Sequence, residues 1–325
     1  MNDIVKRSSA RSIKRTTNTS TDLPAIVASA GPGAKFAYEE FVYGKLRNAS
    51  TRKNYRHAVK RFLQFCEQRQ RELTQIMPRD VGEYLDQMPL APATKKLHLA
   101  ALRHFFDVLV NRHAVLLNPA ASVRGPRLQV IEGKTPEIGI KQARRLLRSI
   151  GDEDIVALRD RAIIAILIYT AVRVSAVSGL RLTDFFDAGD QYCLRFREKG
   201  GKARQIPCRH DVQRFILDYL DRAGVTDGKS PLFRTTVRRT KELTDRGMVS
   251  GDIARMMKRR CRRIHLSLQF SPHSFRVTTI TDLLEQGVPL EDVQQLAGHA
   301  DPRTTRLYDR RRQEVTRNIV ERISV

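Results

Sequence analysis

The stop and start signals between Phe270 and Arg310 constrain this chain more than any other stretch. Ser271 followed by Pro272 supplies a helix cap and a proline at the first helical position, and Gly287 lies past that helix's end. Pro289 opens a second helix, which Gly298 closes in the left-handed conformation that glycine tolerates. Asp301 and Pro302 repeat the cap-and-proline device for a third, running out near Tyr308. Phe275, Ile280, Leu283 and Leu284 form a buried face of the first helix. His273 and Arg276, three apart, share a different face. His299 sits just beyond the glycine stop. Singly, each of these residue types is more often a core or surface group. As an ordered set at helix ends, two histidines, an arginine and a tyrosine can converge on one anion.

Composition says which anion. The 325 residues carry a formal charge of +24 and a pI near 10.5, with basic residues spread along the chain. That distribution points to a wrapped polyanion, double-stranded DNA, rather than a membrane patch. The longest apolar run, Ala162 to Val172, is well short of the roughly 20 residues that span a bilayer. No secretory signal is evident. The four cysteines show neither C-x-x-C pairing nor zinc spacing, and Cys261 with His265 lacks a third ligand. The expectation is reduced thiols, no metal or cofactor, and a cytoplasmic, nucleoid-associated protein.

In chain order, residues 1–34 read as a disordered basic tail, because large apolar residues are few before Leu23. Residues 35–123 repeat a helical pattern four times. The first begins with Phe36, Phe41, Val42 and Leu46, and Ser50 caps the second, which carries Tyr55, Val59, Phe62 and Cys66. Asp80, Val81, Tyr84 and Leu85 mark the third, and Leu97, Ala101, Phe105 and Leu109 the fourth. Arg52, Lys53, Arg56 and Lys60 on the second helix, with Lys95, Lys96 and Arg103 on the fourth, make two basic faces suited to phosphates. A charge run is usually a solvated face, so the total charge tips this reading only modestly. Residues 124–135 form a linker between two lobes that can clamp a duplex.

The second domain, 136–310, holds a helix from Asp160 to Val172, apolar on nearly all sides, which delivers Arg173 at its end. An arginine there either neutralises the helix dipole or, held in a desolvated floor, binds a phosphate bidentately. Tyr192, Leu194 and Phe196 alternate along a half-buried strand, Lys199-Gly200-Gly201-Lys202 makes a hairpin turn, and Ala203 to Pro207 returns. Helices follow near Asp211–Ala223 and Gly251–Ile264, the latter strongly basic and including Arg259, consistent with DNA backbone contact. Residues 311–325 form a helix striped by Val315, Ile319 and Ile323.

H-x-x-R at 273–276, L-x-G-H at 296–299 and G-H-x-D-P-x-T-T-x-x-Y ending at Tyr308 resemble the C-terminal signature of the tyrosine recombinases, which include the phage integrases. The resemblance implies a mainly α fold with a small β-sheet: a four-helix DNA-binding domain followed by an α+β catalytic domain. It implies a recombinase that cuts and rejoins DNA through a 3′-phosphotyrosine. Arg173, His273, Arg276 and His299 then surround the phosphate, Tyr308 is the nucleophile, and Lys199 (a better fit than Lys202) is the general acid. Two departures stand out: Ala171 replaces the family's glycine, and Ala176 stands where it usually has an acidic residue. Relatives also pass a C-terminal segment to a neighbour in a tetramer on paired sites, with accessory DNA-bending or directionality proteins as further partners. The alternatives are a non-catalytic sequence-specific DNA-binding protein, a type IB topoisomerase-like relaxation activity, and a zinc- or magnesium-dependent nuclease, which the missing ligand sets disfavour.

Overall fold

The computed structural model describes residues 23–127, 135–197, 203–238 and 240–309. The chain divides into two compact units, residues 1–129 and 130–325.

The first unit is helical. Helices α1 (Ala25–Ser29) and α2 (Pro32–Glu39) lead into a π-helical turn (Glu40–Lys45), followed by α3 (Ala49–Gln68), α4 (Pro78–Gln87) and α5 (Pro92–Asn111). The apolar periodicity finds its core: Phe41, Phe62, Phe105 and Phe106 are fully buried together. Two readings are corrected. Residues 25–29 and 32–34 are helical rather than part of a tail. Ile26 and Val27 are buried, and the Ile26 N–H donates to the Glu67 carboxylate at 2.9 Å. A five-residue helix is too short to show a period, so only its tertiary partners reveal it. The cap of α3 is Asn48, not Ser50: its Oδ1 accepts from the Ser50 and Thr51 N–H groups at 3.0 and 3.1 Å.

In the second unit, α6 (Ile140–Arg148), α7 (Ile155–Thr170) and α8 (Val174–Ser178) precede a three-stranded antiparallel sheet. Its strands are β1 (Phe185–Asp187), β2 (Tyr192–Arg197) and β3 (Ala203–Pro207), in that order, with Leu194 opposite Ile206 and Phe196 opposite Arg204. Helix α9 (His210–Ala223) is followed by a hairpin of β4 (Arg234–Thr236) and β5 (Leu243–Gly247), and then by α10 (Ser250–Arg263), α11 (Pro272–Glu285), α12 (Leu290–Ala297) and α13 (Pro302–Arg306). The turn with Lys199 and Lys202, and the C-terminal segment 311–325, lie outside the described residues.

Helix α7 is the axis of this unit. Asp154 caps it through the Ala157 N–H at 2.8 Å, and its apolar side chains from Ala162 to Leu167 are buried all round. It starts five residues before the expected Asp160, because Asp160 is interior rather than a terminus. Its carboxylate is fully buried and accepts from Arg159 at 2.8 Å, Arg260 at 2.9 Å and Arg259 at 3.2 Å. Burying a carboxylate among guanidinium groups carries a desolvation cost, and removing one partner leaves the rest uncompensated. This network keys α10 to α7.

Candidate active site

The side chains singled out near the C-terminus come from helix ends that the core brings together. Helix α7 ends at Ala171, which takes the left-handed conformation at φ 50°, ψ 22°. Glycine would adopt this without strain, whereas a Cβ costs on the order of 1 kcal/mol. The turn is held from outside. Ala171 is fully buried in a small cluster with Ile280, Leu284, Val293 and Ala297, and its carbonyl accepts a hydrogen bond from Arg276 Nη1. Two residues on, Arg173 occupies the N-cap position of α8. It is exposed, so of the two readings the one that held it in a desolvated floor does not stand. The floor is Arg276 instead, only 1% exposed. Ala176, the second departure from the resembled signature, is buried in the main apolar core.

Helix α11 opens with Ser271 at the N-cap position and Pro272 at the first helical position. The Ser271 N–H donates to Ser274 Oγ at 3.1 Å, so the side chain closing this cap is Ser274's rather than the expected Ser271's. Thr278 and Thr279 then staple α11 to its surroundings, donating to the Ile138 carbonyl at 2.7 Å and the Ile168 carbonyl at 2.5 Å. His273 therefore stands on the first turn with Arg276 one turn further in. Pro289 is the N-cap residue of α12 rather than its first helical residue, and Gly298 closes that helix at φ 64°, as its residue type predicts. Asp301 Oδ1 accepts from the Arg303 N–H at 2.9 Å and caps α13.

His299, 7% exposed, lies in the turn between α12 and α13. Its Nδ1 is 2.9 Å from Thr305 Oγ1, and its ring stacks on Tyr308 with centroids 5.9 Å apart and planes 7° from parallel. Tyr308 is half-buried against the cluster that contains Ala171. Burial, followed by the nearby charges of Arg276, Arg173, His273 and Arg204, pushes the His299 pKa down to about 3. His273 is also held below the ordinary imidazole range, by desolvation and then by Arg276 and Arg173. Both rings are thus neutral near pH 7, and the fixed positive charge of the site is carried by arginines.

Sequence reading missed two residues here. Thr305 stood inside the quoted motif without a role, and no local signal assigns it the His299 ring. Arg204 lay in a strand with no motif at all. Its partners are the Gln295 carbonyl at 2.7 Å and the Leu296 carbonyl, some 90 residues away in sequence.

The expected phosphate-contact residues are sorted by the structure. Arg52, Lys53, Arg56 and Lys60 line one open cleft of about 730 Å³ on α3, whose other wall is Thr94, Leu97 and His98 of α5. Arg52 also donates to the Leu46 carbonyl at 2.9 Å. Lys96 and Arg103 line a separate hollow with Arg124, and Lys95 is half-buried. Arg103 is committed to the fold, because its guanidinium donates to the carbonyls of Ala120 at 3.1 Å and Val123 at 2.6 Å and ties down the turn after α5. On α10, Arg255, Lys258, Arg262 and Arg263 are exposed, whereas Arg259 shares Asp160 with the buried Arg260. All four cysteines are buried free thiols, and among the described residues no cluster of three or more His, Cys, Asp or Glu could hold a metal ion. Among them too, no helix is long and apolar enough to cross a membrane.

The neutral buried imidazoles carry an acid signature. His98, 2% exposed with Nδ1 2.8 Å from the Tyr84 hydroxyl, is held down to about 4 by burial and by Arg61 and His57. For each histidine the unfolded chain binds the proton more readily than the folded one, so stability is full at alkaline pH and falls as pH drops below about 6.5. At pH 5 the loss is about 2 kcal/mol per histidine. Denaturant unfolding followed from pH 8 to pH 5 should show both units weakening, and His98→Gln should flatten the response of the first. Stability independent of pH over that range would show that these rings are not held neutral.

Comparison with known proteins identifies the family to which the two units belong. Residues 138–314 match the family described as "Phage integrase family", and residues 40–113 match "Phage integrase, N-terminal SAM-like domain". The chain is 35% identical over 213 residues to "Tyrosine recombinase XerC" of Pelobacter propionicus, covering 65% of this chain and 66% of that one. It is 30% identical over 228 residues to the protein of the same name from Salmonella typhi, covering 67% and 69%. Among solved structures, XerH site-specific recombinase bound to palindromic difH substrate has a similar fold, with a TM-score of 0.66 at 18% identity over 90% of this chain and 84% of that one. A lambda integrase dimer bound to a COC′ core site gives 0.63 at 17% identity over 87% and 96%. A family match across more than half of its length, on the residues that build this site, means that the chain belongs to the phage integrase family, the tyrosine recombinases.

Proposed function

We propose that this chain is a site-specific recombinase that breaks and rejoins duplex DNA through a 3′-phosphotyrosine at Tyr308. The observation that carries the reading is the half-buried Tyr308 stacked on a neutral His299 whose electrostatic neighbours are Arg276, Arg173 and His273. A phosphodiester repels nucleophiles, and its five-coordinate transition state gathers negative charge. Arg276 and Arg173 offer fixed hydrogen-bond forks to that charge without proton bookkeeping. With Nδ1 accepting from Thr305, His299 presents Nε2–H to a nonbridging oxygen. His273, neutral and exposed, takes the phenol proton as Tyr308 Oη bonds to phosphorus. The P–O5′ bond breaks, and Lys199 protonates the departing oxygen. The energy of the broken bond stays in the tyrosyl ester, so a 5′-hydroxyl from another strand can reverse the step.

The cations of the α3 cleft would track phosphates of the same duplex. The apolar stripe Val315, Ile319 and Ile323 suits a segment handed to a neighbouring subunit. Four such subunits on paired sites would tie each Tyr308 to its neighbour's presence, and accessory DNA-bending or directionality proteins would act on that assembly.

The test is the polarity of the cut. Purified protein is incubated in EDTA with DNA flanking its own gene. The nicked strand should carry a protein-blocked 3′ end and a 5′ end that polynucleotide kinase labels without prior phosphatase. Free 3′-hydroxyl with 5′-phosphate ends would mean a hydrolytic nuclease. Relaxation of any supercoiled plasmid regardless of sequence would mean a topoisomerase, and protection without cleavage a DNA-binding protein only.

A further inference from the structure

We propose that Arg204 is a positioning residue for His299, fixing the turn that carries the imidazole by gripping the last carbonyls of α12 from strand β3. This rests on the recombinase reading for its catalytic consequence, but not for the anchoring itself. Arg204 stands opposite Phe196 in the antiparallel ladder, and its Nη1 donates to the Gln295 carbonyl at 2.7 Å and to the Leu296 carbonyl. The Gln295 carbonyl also accepts the Gly298 N–H at 3.1 Å. The adjacent Gln294 is bonded to His299 twice, its carbonyl accepting the His299 N–H at 3.1 Å and its side-chain Nε2 donating to the His299 carbonyl at 3.1 Å. The turn bearing the histidine therefore hangs from the peptide groups that the arginine holds.

Neither side needs this link in order to fold locally. Strands β2 and β3 pair in register from Cys193 with Pro207 to Arg197 with Ala203, and α12 is already terminated by its left-handed glycine. The arginine adds a fixed distance between the sheet and the His299 turn. A cation at the C-terminal end of a helix is favoured by the partial negative charge of its carbonyls, and charged donors make the stronger hydrogen bonds. On the ring's other side, Thr305 sets the Nδ1 contact. One residue fixes how the ring faces, and the other fixes where its backbone sits. Arg204 is also among the charges that disfavour protonation of His299, so its guanidinium is felt at the ring.

The test uses the full chain with Arg204→Met, Arg204→Lys and, as a control on the same strand, the exposed Gln205→Ala. Hydrogen exchange of the Gly298 and His299 amides is measured without DNA, alongside single-turnover cleavage of a nicked half-site and half-site affinity. Arg204→Met should speed exchange at both amides by about tenfold or more, as a released turn opens locally. Its cleavage rate should fall by about 10- to 100-fold, the scale expected for a displaced catalytic group, with affinity within about threefold. Lysine, reaching one carbonyl with a single ammonium, should recover part of both losses, and Gln205→Ala should match wild type. Unchanged exchange in Arg204→Met overturns the anchoring. Faster exchange with unchanged cleavage, or a loss accounted for by affinity alone, overturns the positioning role. If Arg204→Met does not fold, Arg204→Lys decides by the same two readings. Should the wild type form no covalent complex, the recombinase reading fails and the positioning role fails with it, while exchange still reports whether Arg204 holds the turn.

Discussion

Replacing Arg276 with lysine lowers single-turnover cleavage by at least about a hundredfold while half-site affinity changes little, because a preorganised donor aimed at developing charge is worth about 3–4 kcal/mol. Arg276 is 1% exposed and one of its nitrogens is committed to the Ala171 carbonyl, so its guanidinium is oriented before DNA arrives. Lysine keeps the charge but loses the planar fork, and one ammonium cannot serve both the turn and a phosphate oxygen. The companion Arg173→Lys should show a loss of similar direction from an exposed position, where folding is not at stake. Thermal unfolding separates chemistry from structure. If Arg276→Lys unfolds but Arg173→Lys cleaves at the wild-type rate, the arginines serve the fold and the electrostatic account is wrong.

What could be read in advance follows a physical division. The C-terminal helix ends were legible because glycine, proline and aspartate act within a few residues: Gly298 takes the left-handed conformation, and Asp301 caps α13. The apolar stripes of α3 and α5 were legible for the same reason, since a 3.6-residue period needs no partner to be seen. Contacts made across the chain were not legible. Asp160, read as a helix start, is interior because Arg159 and Arg260 neutralise it, and Arg260 lies 100 residues away. Arg103 carried the charge expected of a phosphate ligand, yet its guanidinium closes the turn after α5. The β4–β5 hairpin has only a 3-residue and a 5-residue strand and went unseen. Arg173 and Arg276 read alike in sequence, and only packing buries one and exposes the other.

The second large effect belongs to Tyr308, and it bears directly on the mechanism. The ring is held by the stack on His299 and by the cluster of Ala171, Ile280, Leu284, Val293 and Ala297, none of which needs its hydroxyl. Phenylalanine should therefore preserve the fold and half-site binding while removing the hydroxyl proposed to attack the phosphate. With a nicked suicide half-site, in which the freed fragment diffuses away and rejoining is blocked, wild-type protein should accumulate as a covalent adduct on denaturing gels. Digestion and mass spectrometry of that adduct should place the nucleotide on the peptide containing Tyr308, and Tyr308→Phe should give no adduct at equal occupancy of the DNA. An adduct that persists in Tyr308→Phe, or that maps to another residue, contradicts the account.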